Sequence, residues 1–129
     1  TMADQHQVAG LAAAMETKAI DYLWAMRLKQ EALKANVIWE KCDAILTPTF
    51  YHGAPSAQGS LNDSFALFGG DSGPSNLLGW PAISFMNGME DRLPLAMTVM
   101  APCFREDVCY RIVRDFQRGT DWHKKAPGS

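Results

Sequence analysis

The residues best suited to chemistry lie in one glycine-rich run, residues 70–74 (GDSGP), which contains Ser72. A serine in such a run could attack a carbonyl carbon, provided that a base removes its proton. The usual base is a histidine held by a buried aspartate. Of the three histidines, His6 and His123 lie near the ends of the chain, and His52 lies well inside it. We therefore interpret the run as a glycine-rich bend that lets the backbone pass close to a neighbour.

The same run resembles the nucleophile segment of trypsin-like proteases, Gly-Asp-Ser-Gly-Gly-Pro, but it is one glycine short. The chain of 129 residues is also too short for the two barrels of that fold, and it opens with a long helical pattern. The protease hypothesis is therefore disfavoured.

The composition is that of an ordinary globular protein, with 47% hydrophobic and 20% charged residues. The formal net charge of -2 shows no excess of basic residues that could bind phosphates, so we expect no nucleic-acid partner. The apolar runs are too short to cross a membrane, and residues 1–5 show no features of a secretory signal. We therefore expect no membrane partner.

The three cysteines, Cys42, Cys103 and Cys109, are odd in number and have no C-x-x-C spacing. This pattern argues against both a disulfide framework and a zinc site, so we expect no metal. Free thiols are typical of a reducing compartment, which predicts a cytoplasmic protein.

The first third of the chain has a helical pattern. Apolar residues recur between Val8 and Met26 at the spacing of one buried stripe, and neither proline nor glycine occurs between Leu11 and Cys42. The pattern predicts a long N-terminal helix of about eight turns, or two helices with a kink near residues 34–37.

Three short apolar runs predict strands. The first is residues 44–46, ended by Pro48, and the others are residues 81–86 and 95–100. Asn87-Gly88 follows the second run and is a turn signal. Residues 89–92 form a short polar connection to the third run, so the second and third strands could pair antiparallel.

Other elements surround these strands. Residues 50–63 are rich in glycine, proline, serine and asparagine, which predicts a long loop of functional importance. Ser75 could cap a short turn through residues 76–78. Residues 105–118 have acidic residues in the first turn and an apolar stripe, which predicts a C-terminal helix ended by Gly119.

Four stretches, in order, resemble the closing part of amidase-signature enzymes. Residues 42–49 are similar to Tyr-Asp-Val-Leu-Leu-x-Pro-Thr, and residues 76–84 to Asn-Leu-x-Gly-Leu-Pro-Ala-Ile-Ser. Residues 93–97 stand where the family has Leu-Pro-Val-Gly-Leu, and residues 120–123 resemble a common ending of bacterial amidases. By this resemblance, residues 1–129 are the C-terminal portion of an amidase-signature domain.

The resemblance implies an α/β fold, namely the C-terminal part of an α/β/α sandwich with a mixed sheet, a long N-terminal helix and a C-terminal helix. It also implies a serine hydrolase that cleaves a carboxamide C–N bond with a Ser, a bridging Ser and a Lys, and no cofactor. All three catalytic residues belong upstream of the matched region. Residues 69–73 superficially resemble the nucleophile run Gly-Gly-Ser-Ser-Gly-Gly, but the residues that follow them place this segment elsewhere. We expect no catalytic residue in this chain, which alone should be inactive.

By the same resemblance, the loop of residues 50–63 and the segment before Asn76 could line the acyl pocket. The candidate substrate-binding residues are His52, Asn76 and Trp80. Each has an alternative role: His52 as a surface residue, Asn76 as a partner of backbone groups at a turn, and Trp80 as a core residue.

The sequence also departs from the family. Arg92 stands where a glycine usually precedes Leu-Pro, and Ala96 and Thr98 replace the usual Gly and Gln. Trp80 replaces a smaller aliphatic residue. Glutamine-using members carry an Asp seven residues before the Asn, where this chain has Gly69. This difference disfavours a tRNA amidotransferase.

Two hypotheses follow. In the first, the chain is part of an amidase that acts on a small amide substrate, and its partner is the remaining N-terminal part of the enzyme or a second chain. In the second, the chain is a non-catalytic binding or dimerising fragment, whose helical stripe seeks a partner in a homo-oligomer.

Overall fold

The computed structural model describes residues 5–34, 37–55, 58–59 and 73–126. The chain divides into two compact units, residues 1–36 and residues 37–129. Among the described residues, no helix has the length and apolar character that crossing a membrane requires.

The first unit consists of two helices, α1 (Gln5–Met15) and α2 (Ala19–Lys34). An uninterrupted helix of about eight turns is therefore absent; α2 ends at Lys34, where the alternative prediction had a kink, and a 3-10 helix spans Val37–Glu40. A second break, at residues 16–18, was not predicted. There the amides of Glu16 and Thr17 bond three residues back, which closes α1 with tighter turns than an α-helix has.

The apolar side chains of the first unit are exposed. None of the side chains of residues 8–34 is buried, and large ones such as Leu11, Ile20 and Trp24 are about half exposed. Trp24 is partly shielded by Arg27, whose guanidinium lies 5.5 Å from the centre of the indole ring. These apolar side chains therefore lie without a cover among the described residues, and the break at residues 16–18 interrupts the single stripe that the sequence predicts.

The second unit contains a three-stranded sheet of β1 (Ile45–Pro48), β2 (Ala82–Glu90) and β3 (Leu93–Met100). The strand order is β1-β3-β2, and both pairs are antiparallel. The predicted strands and the antiparallel pair are confirmed. The α/β class is confirmed as well, while mixed pairing stays a prediction for strands of the sandwich outside this chain.

A short helix, α3 (Gly73–Leu78), precedes β2. One face of the sheet is covered by α4 (Glu106–Gly119), which confirms the predicted C-terminal helix within one residue. Alternate residues of β2 and β3 point toward it, as the two-residue period of a strand requires. Phe85 also packs against Phe116 of α4, with 5.1 Å between ring centres. The buried residues of this core are Phe85, Val99, Ala101, Val108, Cys109 and Val113.

The hairpin turn lies at Asp91 and Arg92, inside the predicted polar connection of residues 89–92, whereas the turn predicted at Asn87-Gly88 is absent. Glu90 pairs with Leu93, and the two residues between them have φ of 48° and 66°. A two-residue turn of type I′ requires positive φ at both positions, which matches the twist of the strands. Asn87-Gly88 instead lies inside β2, at a bulge between Met86 and Gly88.

Arg92 therefore occupies a backbone conformation that favours glycine, at the position where the family usually has one. We expect Arg92→Gly to raise the free energy of unfolding by about 0.5–1 kcal/mol, because relief of left-handed strain exceeds the added freedom of the unfolded chain. Urea denaturation followed by tryptophan fluorescence measures this change. The matched control is Arg111→Gly, within α4, which should lose about 1 kcal/mol. An equal decrease in the free energy of unfolding in both variants would show that Arg92 is not strained.

Candidate functional site

The three predicted site residues lie on separate segments of the second unit. His52 is exposed in the loop after β1, and Asn76 is exposed on the short helix α3 (Gly73–Leu78). Trp80 follows α3 and is half-buried. Their roles toward a substrate stay predictions. Residues 56–57 and 60–72, which include Gly69 and the first three residues of the run at 70–74, lie outside the described residues, while Gly73 and Pro74 begin α3.

A glycine ends α3 and directs the chain into β2. Gly79 has φ of 73°, the left-handed conformation in which glycine commonly closes helices. The amides of Gly79 and Trp80 both donate to the carbonyl oxygen of Ser75, at 2.9 and 3.1 Å. Ser75 therefore lies inside α3 and accepts the closing bonds, so its predicted role as an N-terminal cap is wrong.

Trp80 packs edge-on against Trp39, with 4.8 Å between the ring centres and an angle of 76° between the ring planes. Such edge contacts suit the charge distribution of aromatic rings. Both indole nitrogens are buried, and neither has a hydrogen-bond acceptor among the residues that the structure describes. Trp39 was not singled out from the sequence, because its contact joins segments about forty residues apart. Packing is thus a demonstrated role of Trp80.

Three hydroxyl groups meet on the face of the sheet opposite α4. Thr98 Oγ1 lies 2.8 Å from both Thr49 Oγ1 and Ser84 Oγ, and the latter two lie 3.1 Å apart. Each hydroxyl has one proton to donate and two lone pairs, so the three can satisfy one another in a ring. We call Thr49, Ser84 and Thr98 the hydroxyl cluster. Thr49 and Ser84 belong to two of the four stretches that carry the family resemblance, and Thr98 directly follows a third.

The strand register creates this cluster. Thr98 of β3 pairs with Ser84 of β2 on one side and with Thr47 of β1 on the other. Thr49 continues beyond β1, where its amide donates to the carbonyl of Ala96 at 2.9 Å. Thr47 Oγ1 is buried and has no hydrogen-bond partner among the described residues. The face opposite α4 therefore carries a row of hydroxyls from all three strands.

The hydroxyl cluster is not a complete catalytic site by itself. Among the described residues its hydroxyls bond to one another, and no basic or acidic side chain bonds to them. Those residues also include no group of His, Cys, Asp and Glu side chains suited to a metal ion. The arrangement can hold strands in register and can present oxygen atoms to a neighbouring group, but the described hydroxyls have no general base.

A concavity of about 280 Å³ opens beside the end of β1. Phe50 and Tyr51 form part of its wall, and both are about half exposed. The prediction that the loop after β1 could line a pocket finds support in these two aromatic residues, whereas His52 is not among the lining residues. An aromatic pair directly after a strand end was the available sequence signal. The complete lining is Pro48, Phe50, Tyr51, Asn87, Leu95, Ala96 and Met97.

The perturbed ionisable groups lie elsewhere in the second unit. A hydrogen bond from Arg105 lowers the pKa of Asp107, and one from Lys124 lowers the pKa of Asp121. Burial raises the pKa of the Cys109 thiol, which suits a packing role. The two ion pairs are exposed to solvent and belong to surface structure.

Residues 2–110 match the family model of Amidase. The chain belongs to the amidase-signature family. This assignment confirms the resemblance of the sequence motifs, and it makes the hydroxyl cluster a meeting point of amidase-signature segments.

Two relatives show what share of an amidase-signature protein this chain matches. The chain is 36% identical over 94 residues to a glutamyl-tRNA(Gln) amidotransferase subunit of Dehalococcoides mccartyi, with 71% of this chain and 19% of that protein covered. The corresponding protein of Listeria welshimeri is 32% identical over 92 residues, with 70% and 19% covered. The chain thus spans about a fifth of the length of the curated relatives it matches.

A solved structure supports the fold. The crystal structure of a glutamyl-tRNA(Gln) amidotransferase subunit from Thermotoga maritima superposes with a TM-score of 0.59 and 21% sequence identity. The match covers 83% of this chain and 24% of that one. At this identity the likeness shows a shared fold.

The hydroxyl cluster makes a stability prediction. We expect Thr98→Val to lower the free energy of unfolding by about 1–2 kcal/mol, because Thr98 is only 3% exposed and its removal leaves two hydroxyls without their shared partner. Adding Ser84→Ala should cost less than the sum of the single changes. Denaturation curves of the single and double variants measure both effects. A neutral Thr98→Val, or strict additivity, would contradict a cooperative cluster.

Proposed function

We propose that this chain is the C-terminal portion of an amidase domain, residues 1–129, and that the complete enzyme hydrolyses the C–N bond of a small carboxamide. The observation that carries the proposal is the family match over residues 2–110 in a chain that spans about a fifth of its relatives' length. In this proposal the catalytic Ser, bridging Ser and Lys come from outside these residues. The enzyme uses no cofactor, and its free thiols suit a cytoplasmic location.

The proposed reaction is acyl transfer to serine followed by hydrolysis. The nucleophilic Ser attacks the amide carbonyl carbon, and its proton passes through the bridging Ser to a neutral Lys. Backbone N–H groups stabilise the negative oxygen of the tetrahedral intermediate. Water then cleaves the acyl-enzyme and releases the acid.

The contribution of this chain is to shape one side of the site. The hydroxyl cluster fixes the end of β1 against the hairpin, and the loop after β1 presents Phe50 and Tyr51 beside the concavity. An apolar wall of this kind suits the acyl group of a substrate better than its polar amide. His52 and Asn76 are exposed and available for polar contacts, while Trp80 supports the site by packing on Trp39.

The first unit supports the idea that the chain works as part of something larger. Helix α2 has no buried residue, although it contains Ile20, Leu23 and Trp24. Apolar side chains around a helix normally become buried against other elements, because helical stability in proteins comes mostly from such packing. In our proposal the remaining amidase residues, or a second chain that supplies them, cover these helices.

Two other functions remain as alternatives. The exposed apolar side chains of α1 and α2 also suit a non-catalytic fragment that binds a partner or a second copy. The relatives are named glutamyl-tRNA(Gln) amidotransferase subunits, which favours an amidotransferase, although Gly69 stands where glutamine-using members carry an Asp. Activity on glutamine compared with simple carboxamides distinguishes this alternative from the amidase.

Ammonia release from a panel of carboxamides tests the proposal. The panel contains aliphatic amides, aromatic amides and glutamine, and it is applied to this chain and to the longest polypeptide that its gene encodes. We expect the long polypeptide to hydrolyse simple carboxamides and the 129-residue chain to be inactive. Hydrolysis by the short chain contradicts the proposal, and activity of the long polypeptide on glutamine alone favours the amidotransferase.

The position of Phe50 in the wall of the concavity leads to a prediction about substrate preference in the active polypeptide. Phe50→Ala should lower kcat/KM for amides with a large acyl group about tenfold, the effect of roughly 1.4 kcal/mol of lost apolar contact, and leave acetamide nearly unchanged. Leu46→Ala is the matched control, because Leu46 is about half exposed on β1 and lies outside the concavity. Equal losses for large and small amides in Phe50→Ala would rule out a role in acyl recognition.

A further inference from the structure

Phe104 combines two properties that are both unusual for a large aromatic residue. Its φ is 63°, a conformation that bulky side chains rarely adopt, and its side chain is 90% exposed. Left-handed backbone is unfavourable for residues other than glycine, and exposure denies the ring the apolar contacts that could offset the strain. Within the described structure, the phenylalanine has no contact that explains its presence.

The loop around Phe104 is nevertheless firmly held. The amide of Arg105 donates to the carbonyl of Pro102 at 3.0 Å, which closes a four-residue turn with Phe104 in third position. Positive φ at this position normally selects glycine or asparagine. The thiol of Cys103 lies 3.4 Å from the carbonyl oxygen of Gly79, at the end of α3. The core residue Ala101 precedes the turn and has no exposed surface.

The two helices that flank this turn also carry exposed apolar side chains. Tyr110 on α4 is 67% exposed, and Leu77 on α3, the helix to which Cys103 binds, is 56% exposed. Asp107 accepts hydrogen bonds from Arg105 and lies 3.9 Å from Arg111. Interfaces typically combine aromatic anchors with such a polar rim.

We propose that Phe104 is an anchor that inserts into an apolar pocket on the remaining part of the amidase domain. The inference rests on the proposed function, because about four-fifths of the length of the curated relatives has no counterpart in this chain. The family match ends at Tyr110, so the loop lies inside the segment that is characteristic of amidases. Burial of the ring in the complete domain offsets the strain of its backbone, and the fixed turn holds the side chain outward for this contact.

Two natural cysteines allow this contact to be tested by chemical labelling. Cys103 is exposed beside Phe104, whereas Cys109 is buried in the core. Maleimide labelling, read by peptide mass mapping, should modify Cys103 at least tenfold more slowly in the longest polypeptide encoded by the gene than in the 129-residue chain. Phe104→Ala should restore fast labelling of Cys103 in the long polypeptide. Cys109 should stay slow in every sample, which controls for unfolding.

Thermal unfolding adds a second readout. In the 129-residue chain, Phe104→Gly should raise Tm because it removes strain without loss of buried contacts, and Phe104→Ala should leave Tm nearly unchanged. In the long polypeptide both variants should lower Tm. If either variant lowers Tm in the short chain as much as in the long polypeptide, Phe104 makes no contact with the remaining domain.

The outcomes separate this inference from the proposed function. An active long polypeptide in which Cys103 stays reactive overturns the anchor and leaves the amidase intact. Protection of Cys103 in a long polypeptide without amidase activity supports the anchor and overturns the function. A gene that encodes nothing beyond these residues overturns both. Concentration-dependent protection in the short chain overturns the anchor as proposed, because the occupant of the surface is then a second copy.

Discussion

The antiparallel pairing of β2 with β3 is the constraint on which the second unit depends. Its register gives the two faces of the hairpin different tasks: Phe85 and Val99 pack under α4, and Ser84 and Thr98 meet on the opposite face. The hairpin also offers the edge to which β1 adds, and this pairing brings Thr49 to the other two hydroxyls. A shift of one residue would exchange the faces and abolish both the core and the hydroxyl cluster.

The sequence was sufficient for elements with a strong period or motif. Three strands, the C-terminal helix and the family followed from apolar patterns and four short stretches. The predicted connection at residues 89–92 contains the hairpin turn, whereas Asn87-Gly88 lies inside a strand, because the pairing of the strands overrides its favourable local turn chemistry. The hydroxyl cluster and the Trp39–Trp80 contact could not be predicted, since both depend on residues far apart in sequence that only the sheet register and tertiary packing bring together.

The two units differ in how completely they bury their own apolar side chains. The sheet and α4 enclose a core with Val99 and Cys109 fully buried, whereas the helices of the first unit expose nearly all their apolar residues. The second unit also leaves polar atoms unsatisfied, because two indole nitrogens and Thr47 Oγ1 have no partner among the described residues. A chain that covers about a fifth of its relatives would leave such groups for other parts of the protein to satisfy.

The central claim is that these residues shape an amidase site whose reactive serine lies elsewhere. Intact-mass measurement after treatment with a serine-directed fluorophosphonate tests it most directly. We expect a single adduct on the longest polypeptide that the gene encodes, located outside these residues, and no adduct on the 129-residue chain. An adduct on a serine of this chain, or a long polypeptide that stays unmodified while it hydrolyses amides, would contradict the account.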